Sequence, residues 1–296
     1  MKRMAGWFFG VLALLPMWLL YGMSDVAALV LRSVVRYRRR AVRENLSASF
    51  PDKSEAELRR IERAFYRHFA DNAVESIKTM RISEAQMRRR MEFEGAELID
   101  RLFAEGRDIV AYFSHCGNWE WATSVALHTH ARAGADADFG FVYRPLKNPT
   151  ADAIMLRIRR RFGASAYPKA TVFRELVRMR GRGQRFITGF MSDQKPSHGD
   201  PTYVGMFLNH PTAMITGTET VARKLDTAVV YWDMYRVRRG HYRVVCRLVC
   251  ESAASLPPMA LTEQYMHMLE HTICRNPSIW LWSHRRWKYP VKLTES

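Results

Sequence analysis

The sequence predicts an α/β fold, a mixed and mostly parallel sheet covered by helices, with an N-terminal membrane-anchoring helix. Two patterns support this prediction. Short apolar runs alternate along the chain with longer segments of helical periodicity, which is typical of parallel strands buried on both faces. The N-terminal segment is apolar and is followed by a cluster of arginines. We therefore expect an anchor at residues 1–31 and a single α/β domain at residues 32–296.

The composition limits the class of partner. The chain has 296 residues, with 46 Lys and Arg against 29 Asp and Glu and a net charge of +17. This excess predicts an anionic partner, which can be nucleic acid, an acidic protein or an anionic lipid surface. A hydrophobic fraction of 48% excludes disorder, and a mean hydropathy of -0.27 excludes a polytopic membrane protein. Four cysteines are too few for a disulfide scaffold and favour a reduced, cytoplasm-facing body.

The N-terminal segment favours a lipid surface. Residues 7–21 have no charge, but Pro16 interrupts them and they are shorter than the roughly 20 residues of a spanning helix. A signal peptide with a small-residue site near Ala27 and a buried core helix are the alternatives. The arginines that follow favour an anchor or a half-inserted helical hairpin, with the rest of the chain on the cytoplasmic side. These arginines are Arg32, Arg36, Arg38, Arg39, Arg40 and Arg43.

Helical periodicity defines the helices of the main domain. After Pro51, Ser54 is a predicted N-cap with Glu57 at the capping-box position, and apolar residues follow at helical spacing from Leu58 onward. Further helices are predicted at residues 119–130, 152–162, 171–180, 218–225 and 261–275.

Buried strands are predicted between these helices. Their apolar runs lie at residues 108–113, 139–143, 185–191, 228–237 and 242–249. The last two runs are joined by a short turn at residues 238–240, which indicates a hairpin.

His115 and Glu120 form a His-x4-Glu pair at the end of a predicted strand. With 10 histidines and 29 acidic residues in the chain, about one such pair is expected by chance. The position is informative because ligands of open α/β sheets bind beyond the carboxyl ends of the strands. A histidine there can be a general base, and a carboxylate can orient its imidazole. The alternative is a helix-capping loop with a solvated glutamate.

The residues around this pair resemble the bacterial lipid A biosynthesis acyltransferases, the late lauroyl/myristoyl transferase family. Residues 114–120, Ser-His-Cys-Gly-Asn-Trp-Glu, are similar to the family's His-Phe-Gly-Asn-Trp-Glu block. Four further similar blocks follow the family's order at residues 43–51, 143–149, 193–213 and 276–288. Cys116 stands where the family usually has Phe, and Ile279 where it usually has Gln.

The resemblance implies transfer of a fatty acyl chain from an acyl carrier protein (or acyl-CoA) to a hydroxyl of a membrane glycolipid, a lipid A precursor. His115 would take the hydroxyl proton, and Glu120 would hold the imidazole in the correct tautomer. Arg144, helped by backbone amides near Gly117, would stabilise the tetrahedral intermediate. No cofactor and no metal are implied, and the chain would lie at the inner membrane. The implied substrate-binding residues are Asn118, Trp119, Tyr143, Asp193, Gln194, His284 and Arg285.

Asp193 follows a predicted strand, so it can position Arg144 or the acceptor, or it can be a turn residue.

The carrier protein is acidic and is expected to dock on the catalytic body by electrostatic steering. A basic helix is the predicted docking element, with a solvated or headgroup-facing surface as the alternative. Its arginines are Arg157, Arg159, Arg160 and Arg161.

Other readings of the sequence have less support. Cys246, Cys250 and Cys274 lack the tight spacing of a zinc site, and Ser114 lacks the Gly-x-Ser-x-Gly context of a serine nucleophile. The C-terminal tryptophans between basic residues suit nucleic acid or a membrane interface, and the apolar N-terminus favours the membrane. We therefore expect no nucleic-acid partner. Two alternatives stay open: transfer to another glycolipid, such as a phosphatidylinositol mannoside, and a non-enzymatic basic protein on a membrane or nucleic acid.

Overall fold

The computed structural model describes residues 9–197, 199–200 and 202–293. The first eight residues of the predicted anchor, including Lys2, Arg3 and Trp7, lie outside the described residues. In their order across the main sheet, the seven strands are β1 (Met91–Glu94), β9 (His241–Cys250), β8 (Ala228–Arg238), β2 (Ile109–Phe113), β5 (Arg185–Met191), β3 (Ala137–Tyr143) and β4 (Ser165–Pro168). β8, β2, β5, β3 and β4 are parallel, β9 is antiparallel to β8, and β1 is parallel to β9. The predicted mixed, mostly parallel sheet is confirmed.

The strands are short, and the apolar runs predicted most of them. β6 (Thr202–Phe207) and β7 (His210–Ile215) form a separate antiparallel hairpin. The sequence reading missed β1, β4 and this hairpin, because none of them is an unbroken apolar run.

Helices cover both faces of the sheet. Their bounds are α1 (Met17–Leu29), α2 (Arg39–Ser49), α3 (Glu55–Lys78), α4 (Glu84–Arg90), α5 (Glu97–Ala104), α6 (Pro149–Arg159), α7 (Val172–Gly181), α8 (Gly217–Lys224) and α9 (Ala260–Arg275). The predicted capping box of Ser54 and Glu57 is present at the start of α3.

Alternating residues of β2 point into two separate cores. Val110 and Tyr112 pack in one apolar cluster with α3, α7, α8 and α9. Ile109, Ala111 and Phe113 pack in another, which includes α5 and residues 121–127. Every residue of β2 is therefore buried, which explains its unbroken apolar sequence.

Residues 119–130, which were predicted as a helix, form only a 3-10 helix at Trp121–Leu127. The Thr123 hydroxyl donates to the carbonyl of Glu120, and the Ser124 hydroxyl donates to that of Trp121. These bonds span three residues and favour the tighter helix.

The apolar helix α1 lies against α3. Buried Leu20, Ser24 and Ala28 form its inner face, four residues apart. A π-helix at Val30–Val34 continues α1. Of the described part of the chain, the segment Met17–Val34 is long and apolar enough to cross a membrane by length and composition, and only 17% of it is buried.

Candidate active site

Two neighbouring strands bring a histidine and a carboxylate together at the carboxyl edge of the sheet. β2 pairs with β5 so that Phe113 lies opposite Met191. His115 lies two residues after Phe113, and Asp193 lies two residues after Met191. The register therefore places two residues that are 78 positions apart next to each other.

Two hydrogen bonds join His115 to Asp193. The imidazole Nδ1 lies 2.8 Å from Oδ1 of Asp193, and the backbone N–H of His115 donates to Oδ2 at 3.0 Å. The indole N–H of Trp280 donates to the same Oδ2 at 2.9 Å. Burial alone would raise the pKa of Asp193, but the charge and hydrogen bonds of His115 and the bond from Trp280 lower it to about 2. The carboxylate can therefore only accept, which places the proton of a neutral His115 on Nδ1.

The second ring nitrogen of His115 is consequently the basic one. With Nδ1–H bound to Asp193, Nε2 presents a lone pair, and the amide Nε2 of Gln194 lies 3.2 Å from it. The side chain of His115 is 15% exposed, whereas that of Asp193 is 1% exposed. A hydroxyl that enters the site can replace the Gln194 amide and give its proton to Nε2.

The segment after α9 closes on the histidine loop. Cys116 and Trp280 form an antiparallel bridge, and the N–H of Gly117 donates to the carbonyl of Ile279 at 3.0 Å. Of the backbone amides near Gly117 that were predicted to help bind an oxyanion, the N–H of Gly117 itself is therefore already bonded to Ile279.

Glu120 pairs with an arginine and not with His115. Arg159 donates to both carboxylate oxygens of Glu120, at 2.8 and 2.7 Å. Both side chains are mostly buried, with exposures of 17% for Arg159 and 7% for Glu120. The sequence predicts that Glu120 contacts the imidazole of His115, but in the structure Asp193 makes this contact. The sequence could not show this, because spacing along a chain gives no information about a partner on another strand.

The same pair corrects the role predicted for Arg159. Its guanidinium faces inward and also lies over the ring of Tyr143, 5.6 Å from the ring centroid. Arg159 is therefore not free to dock a carrier protein, whereas Arg157, Arg160 and Arg161 are exposed.

Of the other predicted residues, some lie at the exposed rim of the site and others in the interior of the protein. Arg144 is exposed just beyond β3, and it makes no hydrogen bond or salt bridge with the described residues, although its charge helps to lower the pKa of Asp200. Arg285 is also exposed. Trp119 meets His115 edge to face, with ring centroids 5.2 Å apart. Asn118, by contrast, is fully buried, and its amide donates to a carboxylate on α3.

His284 lies close to the site and is held neutral. The backbone N–H of Lys195 donates to its Nε2 at 3.1 Å. Burial lowers the pKa of His284 to about 4, against an opposing contribution from Asp193 and helped by nearby positive charges. His284 thus fixes the segment that follows Asp193 and Gln194.

Two residues of α3 support the histidine loop and were missed by the sequence reading. The Asn72 amide donates to the carbonyl of Gly117 at 2.9 Å, and His68 Nε2 lies 3.2 Å from the same oxygen. Neither residue lies near a motif, so only the tertiary structure identifies them. Within the described ranges, no group of three or more His, Cys, Asp or Glu side chains is placed to hold a metal ion.

The fold and the site define an α/β protein with a histidine–carboxylate pair at the carboxyl edge of its sheet, an arrangement suited to removing a proton from a hydroxyl. The sequence model of the family described as bacterial lipid A biosynthesis acyltransferase matches residues 4–289. The chain therefore belongs to this family. Among curated proteins, none matches the chain significantly.

Proposed function

We propose that this acyltransferase moves a fatty acyl chain from an acyl carrier protein thioester to a hydroxyl of a membrane glycolipid, a lipid A precursor. The observation that supports this best is the contact between Nδ1 of His115 and Asp193, which leaves Nε2 as the basic nitrogen beside the displaceable amide of Gln194. A base in this state can accept the proton of an alcohol while the alcohol attacks a thioester.

The reaction needs one group that takes up a proton and later returns it. The acceptor oxygen forms a bond to the thioester carbon as its proton passes to Nε2 of His115. The tetrahedral intermediate then collapses, the carbon–sulfur bond breaks, and the imidazolium returns the proton to the leaving sulfur. Asp193 stays ionised and stabilises the imidazolium while it exists. Arg144 remains our candidate for stabilising the oxyanion, because its exposed guanidinium is available to a ligand.

Glu120 is proposed to act through Arg159. Their bidentate pair forms one wall of a narrow cleft beside Trp119, and the rest of its lining combines apolar side chains with Thr123 and Tyr143. We propose that the pair fixes this wall next to the Trp119 ring that contacts His115. The apolar lining residues are Phe113, Phe141, Val142 and Met191.

The proposed membrane contact is the outer face of α1 and its extension. The large apolar side chains there are exposed, and exposed arginines follow directly. The middle of the segment also contains Asp25, which is paired with Arg67 and Arg239 of the body. We propose that the helix lies in the membrane interface on the cytoplasmic side of the inner membrane, since these ion pairs would be costly inside a bilayer. The exposed apolar residues include Trp18, Val26, Leu29 and Val34.

The direct test is mass spectrometry of lipids after incubation with an acyl carrier protein donor. A lipid A precursor should gain one acyl chain, and the His115→Ala variant should give no product. Acylation of a phosphatidylinositol mannoside but not of the lipid A precursor would favour the other glycolipid acceptor. Failure of every glycolipid acceptor with a folded protein would contradict the proposal.

A further inference from the structure

One face of α3 is polar although it is buried. His68, Asp71, Asn72 and Glu75 follow helical spacing on this face and are each at most 6% exposed. Polar groups in such a position cost stability unless every one of them is bonded. Their partners show what the face is for, because they belong to two separate elements: the membrane-facing helix α1 and the histidine loop at residues 114–120.

The contacts with α1 come from its inner face. The Ser24 hydroxyl donates to Asp71 Oδ1 at 2.7 Å. One turn earlier, the Tyr21 hydroxyl donates to Glu75 Oε1 at 2.9 Å. Arg239 also binds Asp71, and its guanidinium lies 4.4 Å from the centroid of the Tyr21 ring. α1 is therefore seated on α3 by directed polar contacts in addition to its apolar packing.

The contacts with the histidine loop come from three of these four residues, His68, Asn72 and Glu75. Asn118 donates to Glu75 Oε2 at 2.8 Å, while His68 and Asn72 hold the carbonyl of Gly117. These loop residues come two and three positions after His115. Their placement therefore determines how the loop turns from β2 into the 3-10 helix.

A single carboxylate thus joins both elements. Oε1 of Glu75 accepts a hydrogen bond from the Tyr21 hydroxyl, and Oε2 accepts hydrogen bonds from the Asn118 amide and the Tyr242 hydroxyl. A fully buried carboxylate depends on all its donors, so the loss of Tyr21 from one oxygen changes how the group binds Asn118 on the other. An apolar contact has no such directional preference, so it would not link the position of Tyr21 to that of Asn118 in this way.

We propose that α1 positions the histidine loop through Tyr21 and Glu75, so that the seating of the membrane-facing helix and the geometry of the active site are linked. Tyr21 and Glu75 are positioning residues in this proposal, since neither touches the reacting atoms. The proposal rests on the proposed function only for its kinetic readout. Its structural readout, the protection of the loop, is independent of the substrate.

The test compares Tyr21→Phe with Tyr66→Phe in the full-length protein in detergent micelles. Tyr21→Phe keeps the ring over Arg239 and removes only the hydroxyl. Tyr66→Phe is the matched control: its hydroxyl joins α3 to the carbonyl of Tyr37 just after α1 and the π-helix, with no bond to the histidine loop. Each variant should therefore lose one partly buried hydrogen bond between α3 and the N-terminal segment that packs against it.

Hydrogen–deuterium exchange gives the first readout. In Tyr21→Phe, exchange should rise at least several-fold in the peptide covering residues 114–121 while the strands keep their protection. In Tyr66→Phe, that peptide should exchange as in the wild type. Equal protection of the loop in all three proteins, or equal loss of protection everywhere in Tyr21→Phe, would overturn the proposal.

Steady-state kinetics give the second readout. Tyr21→Phe should lower kcat about three- to thirty-fold with little change in the KM for the donor, because the loop and not a substrate site is displaced. Glu75→Gln should lower kcat as well, and adding Tyr21→Phe to it should cost little more, since both changes act on one contact. Fully additive losses would overturn the coupling. If neither the wild type nor any variant transfers acyl chains, but the protection of the loop changes as predicted, the proposed function fails and the positioning proposal stands.

Discussion

At the scale of single residues, the site is explained by two carboxylates with different partners. Asp193 meets His115 and remains ionised because the imidazole and Trp280 donate to it. Glu120 meets Arg159 through both oxygens. The first pair can move a proton, whereas the second is a buried salt bridge that holds a wall of the cleft. The same residue type thus has two roles that are set by its neighbours.

The Glu120 assignment predicts a loss of stability. Glu120→Gln leaves Arg159 as a mostly buried cation without a carboxylate, and breaking such a pair costs roughly 3 kcal/mol. Chemical denaturation should show this decrease in the free energy of unfolding. Asp136→Asn, which removes the carboxylate from an exposed bidentate pair with Arg132, is the control and should cost much less. An unchanged unfolding free energy in Glu120→Gln would refute the structural role of the pair.

At the scale of elements, the apolar strands follow from the sequence and the polar contacts between elements do not. Runs such as residues 185–191, whose five central residues are buried, could be predicted directly. Asp193 could be placed after its strand, but its partner depends on which strand lies beside it. The polar face of α3 resembles a solvated face in sequence, since charged residues at helical spacing are usually exposed. Only the packing of α1 and the histidine loop against it reveals that Asp71 and Glu75 are buried.

Glu75 predicts a particular pH dependence of stability. Burial raises its pKa to about 7, although three hydrogen-bond donors oppose the shift. A carboxyl whose folded pKa is raised binds more protons in the folded state than in the unfolded state, so its contribution to stability is present at low pH and is lost as the pH rises from about 4.5 through 7. The size of this loss is on the order of 3 kcal/mol.

Urea denaturation of the wild type and Glu75→Gln at several pH values measures this effect. The wild type should lose stability relative to the variant between pH 5 and pH 8. Other titrating groups, such as His68, are present in both proteins and cancel in the difference. Two parallel profiles would show that the pKa of Glu75 is not raised.

At the scale of the whole molecule, α1 is the proposed contact between the enzyme and its membrane. Its inner face is bound to α3, and its outer face is apolar and exposed. An orientation in the interface predicts that the N-terminal end of the helical segment stays on the cytoplasmic side. Gly10 is suited to a probe, because a side chain added there meets open space.

Thiol labelling in spheroplasts tests this orientation. Gly10→Cys, in a background with the exposed Cys274 replaced by serine, should not react with a membrane-impermeant maleimide added from outside. The same protein should react after the membrane is permeabilised. Labelling from outside would mean that the segment crosses the bilayer and that the interfacial orientation is wrong.

The net charge of +17 also predicts how the donor arrives. With Arg159 engaged by Glu120, the exposed arginines near the end of α6 are Arg157, Arg160 and Arg161. Replacing Arg157 and Arg160 by Glu should raise the KM for an acyl carrier protein donor about ten-fold and leave a short acyl-CoA analogue less affected. Added salt should reduce the difference from wild type. An equal loss with both donors would exclude docking at this surface.

The most direct test of the account is single-turnover transfer from a defined acyl carrier protein donor to a lipid A precursor by His115→Ala, Asp193→Asn and the double variant. We predict that each single change lowers the rate by about 10²–10⁴ in a folded protein. The double variant should be little slower than His115→Ala, because the two residues act as one unit. Near-full turnover by folded His115→Ala, or wild-type turnover by Asp193→Asn, would contradict the assignment of this pair.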